Sequence, residues 1–193
     1  MCSSVAPDRN VVFAWPERFS SVDVTECTEI LNAIVRTSGT NGYSNELTAE
    51  EGRHLFEGLS FAIARGEAAQ LLVRDEKDLN IIGMATLMRY KQPDRRHVME
   101  ISRVAIVPER RGEFLVPAWQ EVLRQVEKRG GEIIAIDISE DGPVRLWEHL
   151  GFKTWGVLKD YARVDTRQLD GYYMAVYVRD AWVALAGKRA QTA

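Results

Sequence analysis

Two adjacent arginines followed by a glycine are the first feature of this sequence that could do chemistry. Arg110, Arg111 and Gly112 come directly after an apolar run that ends at Val107, and a helical pattern begins at Glu113. Arginine forms paired hydrogen bonds with phosphate oxygens, and the backbone N–H groups at a helix N-terminus attract anions. The sequence therefore predicts a phosphate site at this loop, with a solvated basic loop as the alternative.

A glutamate, a serine and an arginine lie just upstream, within the apolar run 97–107. A carboxylate such as that of Glu100 can accept a proton from a bound group within hydrogen-bond reach. The alternative is an outward-facing glutamate that pairs with Arg103 or with a cation on a neighbouring strand. Because side chains alternate along a strand, we expect Glu100, Ser102 and Val104 on one face and Arg103 on the other.

The composition excludes several other kinds of chemistry. The chain has 2 cysteines and 3 histidines, too few and too far apart for a disulfide framework or a local zinc site. Its 25 basic and 28 acidic residues leave a net charge of −3, without the basic excess of a nucleic-acid-binding protein. No apolar stretch approaches the roughly 20 residues that span a bilayer, and residues 1–16 lack the apolar core of a secretory signal. We therefore expect a cytoplasmic protein without a metal, a membrane or a nucleic-acid partner.

The elements that must position these residues alternate between helices and strands. Apolar spacing predicts strands at 10–15, 68–74, 80–90, 97–107, 132–138, 152–164 and 171–178, and helices at 20–37, 48–65, 113–129 and 143–150. Residues 181–193 form a terminal helix or a tail in this scheme. The 5 tryptophans are spread along the chain, which is typical of core packing. We predict a single α/β domain over 1–193, with its core at 10–178 and a C-terminal tail or helix at 179–193.

Three segments resemble the GNAT superfamily of acyltransferases. The run Val104-Ala-Ile-Val-Pro-Glu-Arg-Arg-Gly112 is similar to the coenzyme A–binding segment, in which a strand splays from its neighbour and the next loop binds pyrophosphate. Val144-Arg-Leu-Trp-Glu-His-Leu-Gly-Phe152 is similar to a short helix that ends in Leu-Gly-Phe, and Asp170-Gly-Tyr-Tyr-Met174 to the last strand. With the order of elements, the resemblance covers residues 10–178. It implies a GNAT-like fold with a central mixed sheet of about seven strands and about four helices.

The phosphate loop and the short helix depart from the superfamily pattern. The loop usually reads Gln/Arg-x-x-Gly-x-Gly/Ala, and with Arg111 at its start the two small residues fall on Phe114 and Val116. Small residues let a backbone approach phosphate closely. The short helix often carries a tyrosine that protonates the departing thiolate, and that position here is Trp147, which has no acidic hydroxyl.

The resemblance implies an N-acyltransferase that moves an acyl group from coenzyme A to an amine, with acetyl as the expected group. The amine attacks the thioester directly. The acceptor is then a small molecule or a peptide. Glu100 would take the proton of the amine. Tyr161 would replace the missing proton donor, with Tyr172 and Tyr173 as alternatives, since a phenol can donate a proton.

The same resemblance implies the binding residues. Contacts with acetyl-CoA or another acyl-CoA fall at the end of the strand and in its loop, on Val104, Ile106, Arg110, Arg111, Gly112, Glu113 and Phe114. Contacts with the acceptor fall on Tyr43 and Ser102. No metal is implied.

Two alternatives stay open at this point. The segment Glu100-Ile-Ser-Arg-Val-Ala-Ile106 also resembles a strand of GNAT-fold N-acyl amino acid synthases, which take acyl groups from acyl carrier protein. A relative with that donor or with different chemistry is one alternative, and a non-catalytic ligand-binding module is the other, because a fold alone does not fix a function. The oligomeric state is open as well, with a homodimer as one option.

Overall fold

The protein is built on a seven-stranded mixed sheet with the strand order β1-β2-β3-β4-β5-β7-β6. The structure is a computed structural model that describes residues 10–38, 42–139, 143–164 and 166–191. The strands are β1 (Val11–Ala14), β2 (Ala68–Asp75), β3 (Ile81–Arg89), β4 (Val98–Ile106), β5 (Ile133–Ser139), β6 (Lys153–Val164) and β7 (Arg167–Tyr177). Neighbouring strands are antiparallel except for β4 and β5, which are parallel.

Five α-helices connect or flank the strands within these ranges: α1 (Ser21–Ser38), α2 (Ala49–Ala64), α3 (Leu115–Lys128), α4 (Val144–His149) and α5 (Val178–Gln191). The predicted α/β fold with seven strands is confirmed. Of the two options left open for the C-terminal segment, a tail or a helix, the structure shows a helix, which brings the number of α-helices in the described ranges to five. The last strand begins at Arg167, four residues before the predicted start, because residues 167–169 pair with the end of β6.

The first two helices begin with reciprocal capping contacts. At α1 the Asp23 N–H donates to Ser20 Oγ at 3.1 Å, and the Ser20 N–H donates to Asp23 Oδ2 at 2.8 Å. At α2 the Thr48 side chain accepts from the Glu51 N–H, and the Glu51 carboxylate accepts from the Thr48 N–H. Such contacts satisfy N–H groups that have no partner inside the helix, and so they fix where each helix starts.

Two apolar clusters cover the two faces of the sheet. We call the side packed against α1 and α2 the front face; its buried residues include Leu31, Phe56, Met84 and Ala105. The back face carries the larger cluster, which joins α3, α4 and α5 to the sheet. Its buried residues include Ile101, Trp119, Leu123, Ile134, Trp147, Phe152 and Met174. The face on which a strand presents a side chain therefore decides whether that side chain lies on the side of α1 and α2 or on the side of α3, α4 and α5.

A β-bulge in β4 changes which residues face the front. Ser102 pairs with Thr86 of β3, and Ala105 pairs with Met84. Two residues of β4, Arg103 and Val104, therefore lie opposite the single residue Ala85 of β3. Arg103 has a φ of +48°. The expected alternation is therefore wrong beyond Ser102: Val104 packs against the back cluster, whereas the Arg103 guanidinium lies with the Ser102 hydroxyl and Tyr43 on the front side.

Candidate active site

The parallel pairing of β4 with β5 stops in the middle of the sheet. The two strands pair only at Val98/Ile133, Met99/Ile134 and Glu100/Ala135. Beyond Glu100 they continue without pairing to each other, and we call the resulting gap the notch. The Val107 N–H donates to the Ile82 carbonyl of β3 at 2.9 Å. Since successive N–H groups of a strand point to opposite sides, the Ile106 N–H points into the notch.

The loop at the end of β4 leads into a helix N-terminus without a side-chain cap. A short 3₁₀ turn, Pro108–Arg110, is followed by Gly112 with a φ of +88°, and α3 begins at Leu115. This start is two residues later than expected. Phe114 is the N-cap residue and provides no side-chain hydrogen bond, and the first turn of α3 has no acidic residue. The N–H groups here are available to an anion.

Two residues predicted to bind the cofactor have other partners. The Arg110 guanidinium pairs with both Asp75 and Glu113. The Phe114 side chain is only 3% exposed and contacts Gly83, where an added Cβ would lie 3.0 Å from the ring. Arg110 is therefore occupied, and Phe114 can offer only its backbone. Because its ring points into the core, the loop backbone stays open despite the departure from the superfamily pattern.

The remaining residues of this loop are accessible. Arg111, Gly112 and Glu113 are exposed. Arg111 forms no ion pair with any residue in the described ranges, whereas Glu113 is held by Arg110. The structure therefore leaves one arginine of the adjacent pair for an anion at this loop, where the sequence predicted two.

Glu100 lies at the closed end of the notch and is half-buried. Its pair Ala135 and the residue two further along β5, Asp137, are on the same face of the sheet, since side chains alternate. Burial raises the pKa of Glu100, the Asp137 carboxylate raises it further, and the Arg103 guanidinium offsets part of the rise. A carboxylate with a raised pKa binds a proton more strongly than an exposed one, as a general base requires.

Tyr161 lies on β6, and its hydroxyl donates a hydrogen bond to the Asp137 carboxylate on β5. Burial and this hydrogen bond raise the pKa of Tyr161, so the phenol holds its proton more strongly than an exposed tyrosine does. Tyr161 is on the face of Asp137 and its pair Tyr173, whereas Trp147 is buried on the back face. Tyr161 therefore does not occupy the place of the missing tyrosine on the short helix.

A second bulge, in β6, places the Tyr161 ring over Gly171 of β7. Between Leu158 and Ala162 the register of β6 against β7 shifts, and Asp160 has a φ of +52°. A Cβ at Gly171 would lie 2.3 Å from Cγ of Tyr161. Glycine at this position is therefore what allows the ring to reach Asp137.

Replacing Gly171 with alanine is expected to move the Tyr161 ring and break its hydrogen bond to Asp137. The pKa of Tyr161 should then fall toward the ordinary value of about 10. An ultraviolet titration of tyrosinate should show one more tyrosine ionising in the ordinary range. Gly156→Ala is the matched control, because its Cβ would lie 3.8 Å from Tyr173, an ordinary contact. Identical titrations of the two variants would contradict this placement of Tyr161.

Aromatic side chains that sequence reasoning did not assign complete the front side. Trp155 is 70% exposed, so the expectation that the tryptophans serve the core is wrong for this one. Its ring centroid is 5.4 Å from that of Tyr173, which in turn lies 6.0 Å from Tyr161. Tyr90 directly follows β3. Burial is the largest cause of its raised pKa, and the nearby Glu100 carboxylate is the second. Trp155 is the extra residue at a register shift in β6, which sequence spacing alone does not show.

The structure brings four of the predicted site residues to the front side of the notch. They are Glu100, Ser102, Tyr43 and Tyr161. Tyr43 comes from the segment before α2, where its hydroxyl accepts a hydrogen bond from Arg103 Nε at 3.4 Å. The predicted cofactor residues lie along β4 and its loop, at the other end of the notch. An acyl donor and an acceptor could thus approach the same gap from different directions.

The free cysteine of the described ranges, Cys27, is buried in the apolar cluster of the front face. Burial raises the pKa of Cys27 to about 12, so this thiol stays protonated. Over the described ranges, no three His, Cys, Asp or Glu side chains are grouped so that they could hold a metal ion. In the same ranges no helix is both long and apolar enough to cross a membrane.

The sequence matches no protein-family model and no curated protein. Its structure, by contrast, is similar to solved structures of acetyltransferases. An N-acetyltransferase from Staphylococcus aureus Mu50 has a TM-score of 0.71 and 18% identity over 88% of this chain and 99% of that one. A GNAT superfamily phosphinothricin acetyltransferase from Sinorhizobium meliloti, solved in complex with acetyl-CoA, has a TM-score of 0.69 and 20% identity over 87% of this chain and 88% of that one. A ribosomal-protein-alanine N-acetyltransferase from Brucella melitensis has a TM-score of 0.70 and 18% identity over 86% and 99%. The predicted GNAT-like fold is confirmed.

Proposed function

We propose that this protein, which has the GNAT fold, is an N-acyltransferase that moves an acetyl group from acetyl-CoA to an amine. The observation that carries the proposal is the notch, which has a half-buried carboxylate, Glu100, at one end and the uncapped N-terminus of α3 at the other. The complex of a GNAT-fold acetyltransferase with acetyl-CoA supports the choice of donor. The fold alone would leave the donor open.

The residues around the loop fit a diphosphate. The N–H groups of Gly112, Leu115 and Val116 lie at the start of α3, where the helix dipole favours an anion. The positive φ of Gly112 suits a tight turn in which the backbone approaches its ligand. Arg111 adds an exposed guanidinium without an ion pair among the described residues. In this proposal Arg110 serves the loop through Asp75 and Glu113 and does not bind the ligand directly.

The notch would hold the linear part of the donor. Acetyl-CoA supplies a thioester whose carbonyl carbon accepts the amine and whose sulfur departs. The Ile106 N–H, which points into the notch, would donate to the carbonyl oxygen as negative charge develops on it. An N–H that is fixed in a strand needs no reorganisation during the reaction, and this is why such donors accelerate acyl transfer.

Glu100 would take the proton of the acceptor, directly or through one water. The ammonium group of the acceptor first gives one proton to the Glu100 carboxylate. The freed amine nitrogen then forms a bond to the carbonyl carbon, and the carbon–sulfur bond breaks. The second proton that the nitrogen releases passes through water to the departing thiolate. The Tyr161 hydroxyl keeps its proton and donates a hydrogen bond to Asp137. We infer that Tyr161 orients this carboxylate instead of protonating the thiolate.

The diphosphate site can be tested with a charge at Val116, the second helical residue of α3. Its side chain is 44% exposed. Val116→Glu is expected to stabilise the fold slightly, since an acid at a helix N-terminus contributes about 0.3–1 kcal/mol. The same charge should weaken coenzyme A binding about fivefold, because two unit charges about 4 Å apart in water interact by ~1 kcal/mol. A more stable fold together with weaker coenzyme A binding is therefore the result expected for a diphosphate site at the N-terminus of α3.

Val116→Gln is the neutral control, and calorimetric titration of coenzyme A measures the affinity of each form. Acetyl transfer to a panel of amines, followed through the release of free thiol, measures the activity of the unchanged protein. Equal affinities of the glutamate and glutamine variants would remove the diphosphate from the α3 N-terminus. No binding of coenzyme A at millimolar concentration would overturn the donor, and acyl transfer from acyl carrier protein alone would establish the alternative donor.

A further inference from the structure

Arg103 is a half-buried cation without an anionic partner among the described residues. Its Nε donates to the Tyr43 hydroxyl at 3.4 Å, and its Nη1 donates to Ser102 Oγ at 3.5 Å. Both distances are long for hydrogen bonds of a charged donor. Arg103 forms no salt bridge with any other residue of the described ranges. A guanidinium withdrawn from water usually has a carboxylate or phosphate partner, so this one has capacity for a ligand.

The backbone of Arg103 is held in an unfavourable conformation. A φ of +48° lies in the left-handed region, where a long side chain such as that of arginine is uncommon. Without the bulge, alternation would direct Arg103 to the back face, away from Glu100 and Ser102. The strained backbone therefore places the guanidinium on the front side of the notch. Strain of this kind is often kept at sites where a side chain must hold a set position.

The front side of the notch thus carries groups of both signs. The Asp137 carboxylate is near enough to Glu100 to raise its pKa, and Arg103 is near enough to offset part of that rise. Arg103 nevertheless forms no direct ion pair with either carboxylate. A cation and a carboxylate held apart in a partly buried cleft are complementary to a ligand that has an amine and an anionic group of its own.

We propose that the acceptor is an amino acid, whose amine is directed to Glu100 and whose carboxylate is bound by Arg103. This inference rests on the proposed function. The planar guanidinium can donate paired hydrogen bonds to both carboxylate oxygens, and the Tyr43 hydroxyl next to it can donate a third. Arg103 is then a specificity-determining residue, because it distinguishes an amino acid from the amine that lacks its carboxylate.

The test compares amino acids with their decarboxylated amines, for example phenylalanine with phenethylamine and tyrosine with tyramine. The unchanged protein is expected to show a kcat/KM for amino acids about 10- to 100-fold higher than for the matched amines, as a charged hydrogen bond in a partly buried site supports. Arg103→Gly removes the guanidinium and suits the positive φ, so its melting temperature should not fall below that of the unchanged protein. Its preference for amino acids should be lost, mainly through a higher KM for the amino acid. Arg103→Lys, which keeps the charge but not the planar pair of donors, should fall between the two.

Calorimetric titration of the amino acid into the protein with coenzyme A present gives a second readout that does not depend on turnover. We expect binding to the unchanged protein and a loss of about tenfold or more in Arg103→Gly. Equal kcat/KM values for amino acids and amines in the unchanged protein would overturn the amino acid assignment and leave the proposed function standing. An equal loss on both acceptors in Arg103→Gly would also overturn it, because that result marks a purely structural role. No transfer to any acceptor, together with no binding of coenzyme A, would overturn the proposed function itself.

Discussion

Glu100→Gln is expected to lower kcat/KM for acetyl transfer about 100-fold near neutral pH, which is within the usual effect of a general base. An ammonium group cannot attack until it loses a proton, and glutamine cannot accept that proton. Above the pKa of the acceptor the amine is already free, so the loss should become smaller as the pH rises. The measurement is the pH profile of kcat/KM for both forms, and a loss that stays constant over the whole range would remove Glu100 as the base.

The same substitution should act on stability in the opposite direction. Burial and the Asp137 carboxylate raise the pKa of Glu100 in the folded protein. A raised pKa means that the contribution of this group to stability is present at acidic pH and is lost as the pH rises through the folded pKa. Glutamine never acquires the charge, so the free energy of unfolding of the variant should be the higher of the two at neutral pH. The difference should disappear as the pH falls below the ordinary glutamate pKa of about 4.3. Lower activity with higher stability cannot result from damage to the fold.

Glu57→Gln is the matched control for both measurements. Glu57 is an exposed residue of α2 that pairs with Arg53 at 2.8 Å. Surface pairs of this kind contribute little to stability, and α2 carries none of the groups placed at the notch. We therefore expect the control to match the unchanged protein in its pH profile and in its free energy of unfolding.

Trp147→Ala is expected to cost about 3–5 kcal/mol of stability, the usual range for a buried tryptophan. Trp147 is 4% exposed and contacts two other aromatic rings. Its centroid lies 5.0 Å from that of Phe152 at an angle of 76°, and 6.3 Å from that of Trp119 at 82°. Edge-to-face pairs add to the gain from burial, and the short helix α4 brings this ring to the back core. Unfolding in urea measures the loss.

Trp155→Ala is the control of the same residue type. At 70% exposure Trp155 contributes little to the core, and its removal should change the free energy of unfolding by less than about 0.5 kcal/mol. A loss of similar size in both variants would contradict the assignment of Trp147 to the core.

Much of the fold could be predicted because its signals are local. The α3 sequence places Leu115, Trp119, Val122 and Val126 on one side at helical spacing, and these residues pack on the back face. The predicted helix start at Thr48 rests on a contact over three residues, with Glu51. The helix over 178–191 has a weaker sequence signal, because its apolar residues do not form a clear stripe.

Much of the site could not be predicted, because it depends on breaks in strand regularity and on distant partners. Alternation presumes a regular strand, and the bulge at Arg103 exchanges the faces of that residue and Val104. Arg110 follows the strand as expected, yet its charge is taken by Asp75, 35 positions away. Tyr161 reaches Asp137 only through the bulge in β6 and the missing side chain of Gly171.

The short pairing of β4 with β5 gives this sheet two additional strand edges in its interior. Unpaired strand edges are a hazard, because they offer N–H and C=O groups to any other chain and so promote aggregation. Here the two inner edges face each other, so a foreign strand would have to enter between two strands that already belong to one sheet. The protein can therefore present unpaired backbone groups in the middle of the molecule without also presenting a template for self-association. Only a ligand narrow enough to lie between β4 and β5 can use them, which makes the notch selective by shape before any side chain is involved.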